Sequence, residues 1–110
     1  MIDPMKILIT GAAGQVGTDL IPLLLARGDS VTVMDLAPRP AACPGGVAWV
    51  RGDITLPQEV SEIVRQAQPE RILHLAAILS ATGETVPHRA WRVNMEGTHH
   101  VLEAARLFGV

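Results

Sequence analysis

The fold of this chain is decided by one stretch, Met5-Lys6-Ile7-Leu8-Ile9-Thr10-Gly11-Ala12-Ala13-Gly14-Gln15-Val16-Gly17. An apolar, partly β-branched run comes first, spaced glycines follow, and an amphipathic run begins at their end. This order predicts a strand, a tight turn and a helix. Backbone amides at the start of a helix lack partners within the helix and carry partial positive charge, so they bind anions. The stretch therefore predicts a cradle for phosphate groups.

Strands and helices alternate along the rest of the chain. Strands are predicted at 5–10, 30–35 and 47–50, and residues 71–77 are predicted to form the fourth strand and its exit. Helices are predicted at about 15–27, from 55 to a stop at Pro69, and at about 87–107. Such alternation is typical of a parallel sheet with right-handed crossovers, so we expect an α/β, doubly wound sheet of the Rossmann type. Nothing marks a second domain, and residues 1–110 are expected to be one domain or part of one.

Helical spacing also predicts which side chains the helices bury. Thr55 and Gln58 stand at capping-box spacing ahead of the second helix, and Pro22 is expected to kink the first. The side chains predicted to be buried are Val16, Leu20, Leu23 and Leu24 in the first helix, Val60, Ile63, Val64 and Ala67 in the second, and Trp91, Met95, Leu102 and Ala105 in the third.

Composition narrows the class of protein. The chain has 110 residues, 48% of them hydrophobic, and a formal net charge of -2, so we expect a packed core and no electrostatic attraction to nucleic acid or to a membrane. A single cysteine, Cys43, fits a reducing compartment, and no apolar run is long enough to cross a bilayer. A cytoplasmic protein without nucleic-acid or membrane partners is the expectation.

The three glycines have separate expected roles. Gly11 permits the tight turn, Gly14 lets the backbone approach a diphosphate, and Gly17 lets the helix lie close to the sheet. Gln15 and Val16, at the head of the helix, are also expected to contact a dinucleotide cofactor. The alternative is an ordinary glycine-rich turn between a strand and a helix.

Asp35 ends the second predicted strand, at the offset where a carboxylate accepts hydrogen bonds from the ribose hydroxyls of a dinucleotide. Because a carboxylate there would repel the 2′-phosphate of NADP, NAD is the expected cofactor. The alternative is a solvated loop aspartate. Asp53 and Ile54 follow the third strand, where they would bind adenine; Asp53 capping the next helix is an equally good interpretation.

The end of the fourth strand completes the predicted site. Leu75, Ala76 and Ala77 lie where ligands bind in open α/β sheets, and the small side chains suit a cofactor that approaches closely. Ser80 lies in the polar loop beyond them and is a candidate for binding substrate. Asn94 either faces solvent or bonds a backbone kink beside the site.

The histidines do not predict a metal site. His74, within an apolar strand, is best interpreted as a core histidine with one ring nitrogen bonded. His99 and His100 are adjacent on a helix, so they point about 100° apart and cannot form a joint ligand pair. No metal is therefore expected.

Taken together, these motifs resemble the extended short-chain dehydrogenase/reductase family, the group of NAD-dependent epimerases, dehydratases and dehydrogenases. The matching stretches are Thr10 to Gly17, Asp35, Gly52-Asp53-Ile54, His74-Leu-Ala-Ala77, Asn94-x-x-Gly97-Thr98 and Val101 to Ala105. Residues 14–20 and 78–84 look most like short-chain-type L-threonine 3-dehydrogenases. That resemblance implies oxidation of threonine to 2-amino-3-ketobutyrate with NAD, Asn94 as a contact of the cofactor, and Ser80 as a contact of the substrate. The alternative assignments are a sugar-nucleotide epimerase or dehydratase and a D-erythronate dehydrogenase.

The sequence departs from the family in its catalytic residues. The family uses a Tyr-x-x-x-Lys pair, whereas this chain has no tyrosine and a single lysine, Lys6. The resemblance therefore implies the N-terminal portion of a longer enzyme, with the catalytic Tyr/Lys segment and the substrate domain missing. We expect this portion to be inactive alone and marginally stable or self-associating, and the full-length enzyme to be a homodimer. A non-catalytic dinucleotide-binding module is the alternative from another class.

Overall fold

The computed structural model describes residues 3–79 and 85–110. Within these ranges, four strands and four helices follow one another, with one π-helical turn ahead of the last helix. Their bounds are β1 Lys6–Thr10, α1 Gln15–Ala26, β2 Ser30–Asp35, β3 Ala48–Arg51, α2 Pro57–Ala67, β4 Arg71–His74, α3 Pro87–Trp91, the π-turn Arg92–Glu96 and α4 Gly97–Phe108.

The strands form one parallel sheet in the order β3-β2-β1-β4. This confirms the predicted Rossmann-type fold. The chain moves outward from β1 to β2 and β3, and then crosses back to place β4 on the other side of β1. The carboxyl ends of β1 and β4, where Thr10 pairs with His74, border the point at which the strand order reverses. Open α/β sheets bind their ligands at such a point.

Two core clusters cover the two faces of the sheet at its inner strands, β1 and β2. Ile7 and Ile9 of β1 belong to the core cluster that includes Ile21 and Leu24 of α1. Leu8, between them, belongs to the opposite cluster, which packs beneath α2 and α4. Because successive side chains of a strand point to opposite faces, a β1 that is apolar at every position from Ile7 to Ile9 requires helices on both sides.

The buried face of α1 differs from the predicted one. Ile21 and Leu24 are buried, whereas Val16 and Leu23 are 63% and 65% exposed. The buried stripe follows Gly17, Ile21 and Leu24, at i, i+4 and i+7, because the close approach at Gly17 sets the rotation of the helix. The helix continues through Pro22 to Ala26.

The predicted capping box of α2 is wrong. The helix begins at Pro57 after Leu56, without a side-chain cap. Asp53 instead accepts hydrogen bonds from the Thr55 amide and hydroxyl, at 2.9 and 2.8 Å. Thr55 is thus engaged in a turn before the helix, because an aspartate two residues earlier closes that turn with its own carboxylate. The predicted burial of Val60, Ile63 and Val64 is confirmed.

The last predicted helix is divided into α3, the π-turn and α4, and its buried face was mispredicted. The buried side chains are Val93, Val101 and Ala104, whereas Trp91, Met95 and Leu102 are more than half exposed. A Cβ built on Gly97 would lie 2.6 Å from Ile54 Cδ1, so the contact with the Ile54 region needs small residues. The large apolar side chains therefore stand on other faces. Within the described ranges, no helix is long and apolar enough to span a membrane.

Candidate functional site

A cavity of about 560 Å³ opens at the carboxyl ends of the strands. It lies at the reversal of strand order between β1 and β4. Eleven of the residues that the sequence predicted to bind a cofactor line this cavity. They are Gly11, Gly14, Gln15, Val16, Gly17, Asp35, Asp53, Ile54, Leu75, Ala76 and Ala77. Residues that lie between positions 11 and 77 of the sequence thus meet at one site. Ser80, the predicted substrate contact, lies outside the described residues.

The glycine loop is shaped as a cradle. Gly11 adopts φ +75°, and a Cβ there would lie 2.6 Å from the Ala76 amide nitrogen, so only glycine fits the turn against β4. A Cβ on Gly14 would meet no atom within 4 Å. The Gly14 backbone therefore faces open space, which leaves room for a ligand to approach the main chain.

The head of α1 is available to an anion. Gly14 caps the helix through its carbonyl, which accepts from the Thr18 amide at 3.0 Å and from the Thr18 hydroxyl at 2.8 Å. The first turn contains no acidic residue that would compete for the free amides. These amides and the helix dipole favour a negatively charged group such as a diphosphate.

Gly17 has a different role from the predicted one. A Cβ built on it would lie 2.5 Å from Ala12 Cα, which belongs to the glycine loop rather than to the sheet. The absence of a side chain at Gly17 lets the loop fold back onto the first turn of α1. This contact holds the loop amides in place over the cavity.

Asp35 links the loop to the end of β2. Its Oδ2 accepts from the Ala13 amide at 3.0 Å, and its Oδ1 accepts from the Ala37 amide at 2.9 Å. A carboxylate offers about four acceptor positions, so both oxygens retain capacity for further donors. Asp35 can therefore orient the glycine loop and still accept hydrogen bonds from the hydroxyls of a sugar.

Asp53 and Ile54 form the wall beyond β3. Asp53 Oδ1 is engaged by Thr55, while Oδ2 has no hydrogen-bond partner among residues 3–79 and 85–110. The Asp53 side chain therefore closes the turn before α2 and does not cap the helix itself, whose N-cap is Leu56. The unused oxygen suits a donor such as the amino group of adenine.

The segment after β4 is held by β1. The Leu75 amide donates to the Thr10 carbonyl at 2.9 Å, and the Ala76 amide donates to Thr10 Oγ1 at 3.4 Å. These bonds keep the backbone of Ala76 against Gly11. The small side chains of Ala76 and Ala77 consequently line the cavity next to the cradle.

Asn94 bonds the backbone beside the site, as one of the two sequence interpretations stated. Its Oδ1 accepts from the Ile78 amide at 2.8 Å, and its Nδ2 donates to the Ile78 carbonyl at 3.0 Å. Asn94 is not among the residues that line the cavity, although Val93 and Ile78 are. A direct contact between Asn94 and the cofactor stays a prediction.

His74 is bonded through both ring nitrogens, where the sequence predicted one. Its Nδ1 lies 2.6 Å from Thr10 Oγ1, and its Nε2 lies 3.0 Å from Thr98 Oγ1. Burial lowers the pKa of His74 below its usual value, because the charged ring is poorly solvated there. In the described part of the chain, no three His, Cys, Asp or Glu side chains are grouped so as to hold a metal ion.

Sequence reasoning missed several lining residues. They are Ala13, Met34, Leu36, Gly52, Ile78, Leu79, Arg89 and Val93. Most are sequence neighbours of predicted positions, and that adjacency was the available signal. Arg89 carried no such signal: it stands on α3, an i, i+4 neighbour of Val93, and lines the cavity together with Val93. Its side chain makes no hydrogen bond or ion pair with the rest of the described chain.

Comparisons with known proteins agree with this geometry. The profile of the NAD dependent epimerase/dehydratase family matches residues 7–110. A curated relative, an uncharacterized epimerase/dehydratase of Staphylococcus aureus (strain USA300), is 38% identical over 109 residues, which cover 96% of this chain and 34% of the relative.

Two solved structures are also similar. L-threonine dehydrogenase from Clostridium difficile has a TM-score of 0.86 and 32% identity, covering 97% of this chain and 35% of that one. UDP-glucose 4-epimerase from Thermus thermophilus, in complex with NAD, has a TM-score of 0.88 and 36% identity, covering 96% of this chain and 35% of that one. The chain thus spans about a third of the length of these relatives.

Proposed function

Because this chain belongs to the NAD-dependent epimerase/dehydratase family, we propose that it is the NAD-binding part of an enzyme that oxidises L-threonine to 2-amino-3-ketobutyrate. The cavity at the strand ends is the observation that carries the proposal. It brings the free amides of α1, the Asp35 carboxylate and the unused oxygen of Asp53 around one space. Those groups match, in order, the diphosphate, ribose and adenine of a dinucleotide.

The residues of this chain bind and orient the cofactor. The first-turn amides of α1 hold the diphosphate, and Asp35 accepts from the ribose hydroxyls. Asp35 also disfavours a 2′-phosphate, which supports NAD rather than NADP. Ala76 and Ala77 leave space for the cofactor to lie against the end of β4. When bound, NAD supplies the acceptor for the hydride removed from the substrate alcohol.

The Tyr-x-x-x-Lys pair that the family resemblance assigns to the proton of that alcohol is absent from this sequence. The sequence contains no tyrosine, and its single lysine, Lys6, is the first residue of β1, at the end of the strand opposite the cavity. We therefore expect residues 1–110 alone to bind NAD without oxidising threonine. Ser80 stays a proposed substrate contact, and a homodimer a proposal for the whole enzyme.

Two observations favour different substrates. The neighbour from C. difficile is an L-threonine dehydrogenase, and residues 78–84 look most like that group. The neighbour from T. thermophilus is a UDP-glucose 4-epimerase with comparable similarity. Interconversion of a sugar nucleotide is therefore the second candidate, in which NAD would be reduced and reoxidised within one cycle.

Three measurements separate the candidates. Calorimetry with NAD on the 110-residue chain tests cofactor binding, and no heat with folded protein would contradict the proposal. The complete product of the gene is then incubated with NAD and L-threonine, and formation of NADH is followed. The same protein is incubated with UDP-glucose, and UDP-galactose is sought. Binding of NAD without either reaction would favour the non-catalytic module.

A further inference from the structure

We propose that His74 is a positioning residue for the cofactor cavity, acting as the neutral Nε2–H tautomer at the centre of one directional hydrogen-bond network. The His74 network consists of the Ala76 amide, the Thr10 hydroxyl, the His74 ring, the Thr98 hydroxyl and Asn94. It joins the backbone at Ala76 to the backbone at Ile78. The proposal rests on the proposed binding of NAD at this cavity.

The direction of the network is set at Thr98. The Thr98 hydroxyl lies 2.6 Å from the Asn94 carbonyl oxygen, which can only accept, so the hydroxyl donates its one proton there. The oxygen of Thr98 is then left as an acceptor. His74 Nε2, 3.0 Å away, must therefore carry a proton and donate it to Thr98.

The other ring nitrogen follows from this assignment. A neutral imidazole carries one proton, so Nδ1 is an acceptor when Nε2 is the donor. The Thr10 hydroxyl, 2.6 Å from Nδ1, then donates to the ring. Its oxygen remains free to accept from the Ala76 amide at 3.4 Å. Thr10 is 1% exposed, so water does not substitute for these partners.

Both ends of the network hold cavity walls. At one end, the Ala76 backbone is held so close to Gly11 that a side chain at position 11 would not fit. At the other end, the Asn94 side chain exchanges two hydrogen bonds with Ile78. Ala76 and Ile78 both line the cavity. The network thus ties the glycine-loop side of the site, through β1, β4 and α4, to the backbone that leads toward the candidate substrate loop.

The tautomer can be measured without any substitution. Long-range ¹H–¹⁵N NMR spectra of the chain at neutral pH distinguish Nε2–H from Nδ1–H and from the charged ring. We expect His74 to show a protonated Nε2 and an unprotonated Nδ1. An Nδ1–H tautomer or a charged ring at neutral pH would overturn the proposal, whether or not the chain binds NAD.

A pair of variants tests the consequence for the cavity. Thr98→Val removes the hydroxyl at constant shape, whereas Thr98→Ser retains it, and Thr32→Val on β2 is the matched control. Because Thr98→Val removes both hydrogen bonds of the hydroxyl, the one from His74 and the one to the Asn94 carbonyl, we expect it to weaken NAD binding about threefold to tenfold. Thr98→Ser should restore affinity, and Thr32→Val should leave it unchanged.

The outcomes distinguish this proposal from the proposal of function. Amide signals of Ala76 and Ile78 should shift in Thr98→Val even without NAD, and return in Thr98→Ser. Unchanged amide signals and unchanged NAD affinity in Thr98→Val would refute the positioning role of His74. If the wild-type chain shows the expected tautomer and Thr98→Val shows the expected amide shifts, but the wild-type chain binds no NAD, only the proposed function is refuted.

Discussion

At the scale of the residue, the site depends on groups that each serve two partners. Asp35 accepts from two backbone amides and retains acceptor capacity for a sugar. Asp53 closes a turn with one oxygen and leaves the other unused. A cofactor would therefore meet carboxylates whose orientation is already set by the backbone, which reduces the entropy lost on binding.

Replacing Asp35 should change both affinity and cofactor choice. Asp35→Asn removes the charge at nearly constant size, and hydrogen bonds to charged groups contribute about 1.5–3 kcal/mol. We expect NAD to bind about tenfold or more weakly, and the preference for NAD over NADP to shrink because the 2′-phosphate is no longer repelled. Calorimetric titrations with both cofactors check this, with Asp3→Asn as the control. An unaltered NAD/NADP ratio would mean that Asp35 does not contact the ribose.

Arg89 should contribute to cofactor binding through its charge. It is the one cationic side chain among the described residues that line the cavity, and the diphosphate of NAD is anionic. Arg89→Gln should weaken NAD binding about threefold and reduce the dependence of affinity on salt concentration. Arg92→Gln, an exposed arginine that does not line the cavity, is the matched control. Equal salt dependence in the two variants would contradict the contact.

At the scale of the element, the π-turn is the feature that periodicity could not reveal. Arg92–Glu96 separates α3 from α4, and Thr98 donates to the Asn94 carbonyl within it. Inserted turns of this kind are frequent at functional sites. Here the turn places the Asn94 side chain on Ile78 while Gly97 packs against Ile54. The buried face of α4 thereby falls on Val101 and Ala104.

His74 of β4 bonds Thr10 of β1 and Thr98 of α4, so its titration should make the free energy of unfolding depend on pH. Burial lowers the pKa of the folded ring. The unfolded chain then takes up a proton first as pH falls below about 6.5, so the free energy of unfolding decreases from that point down through the folded pKa. Urea unfolding at a series of pH values should show this loss. His74→Gln should flatten the dependence; an unchanged slope in that variant would assign the effect to other groups.

At the scale of the whole molecule, core clusters cover the faces of the sheet, while one sheet edge and several apolar side chains are exposed. Two core clusters cover the two faces of the sheet. On the outside of the molecule, several large apolar side chains of α3, the π-turn and α4 are exposed, among them Trp91, Met95 and Leu102. β4 also forms one edge of the described sheet. Exposed apolar surface and open sheet edges both favour association.

The isolated chain is therefore expected to self-associate through the α4 side. Leu102 on α4 and Leu23 on α1 are each 65% exposed and lie on opposite sides of the sheet, so they form a matched pair. Leu102→Glu should lower the sedimentation coefficient at high protein concentration, while Leu23→Glu should not. Monomeric sedimentation of the unaltered chain at every concentration would contradict this expectation.

The sequence by itself determined the order of strands and helices and most of the cofactor cavity. Alternating apolar runs and spaced glycines act through local geometry, so Gly11, Gly14 and Asp35 could be located before any contact was known. Tertiary structure decided the rest. Three features depend on how α3, the π-turn and α4 are placed relative to the sheet: the exposure of Trp91, the position of Arg89 at the cavity and the bonding of both His74 ring nitrogens. Periodicity describes one helix at a time, whereas packing selects which face of that helix meets its neighbours.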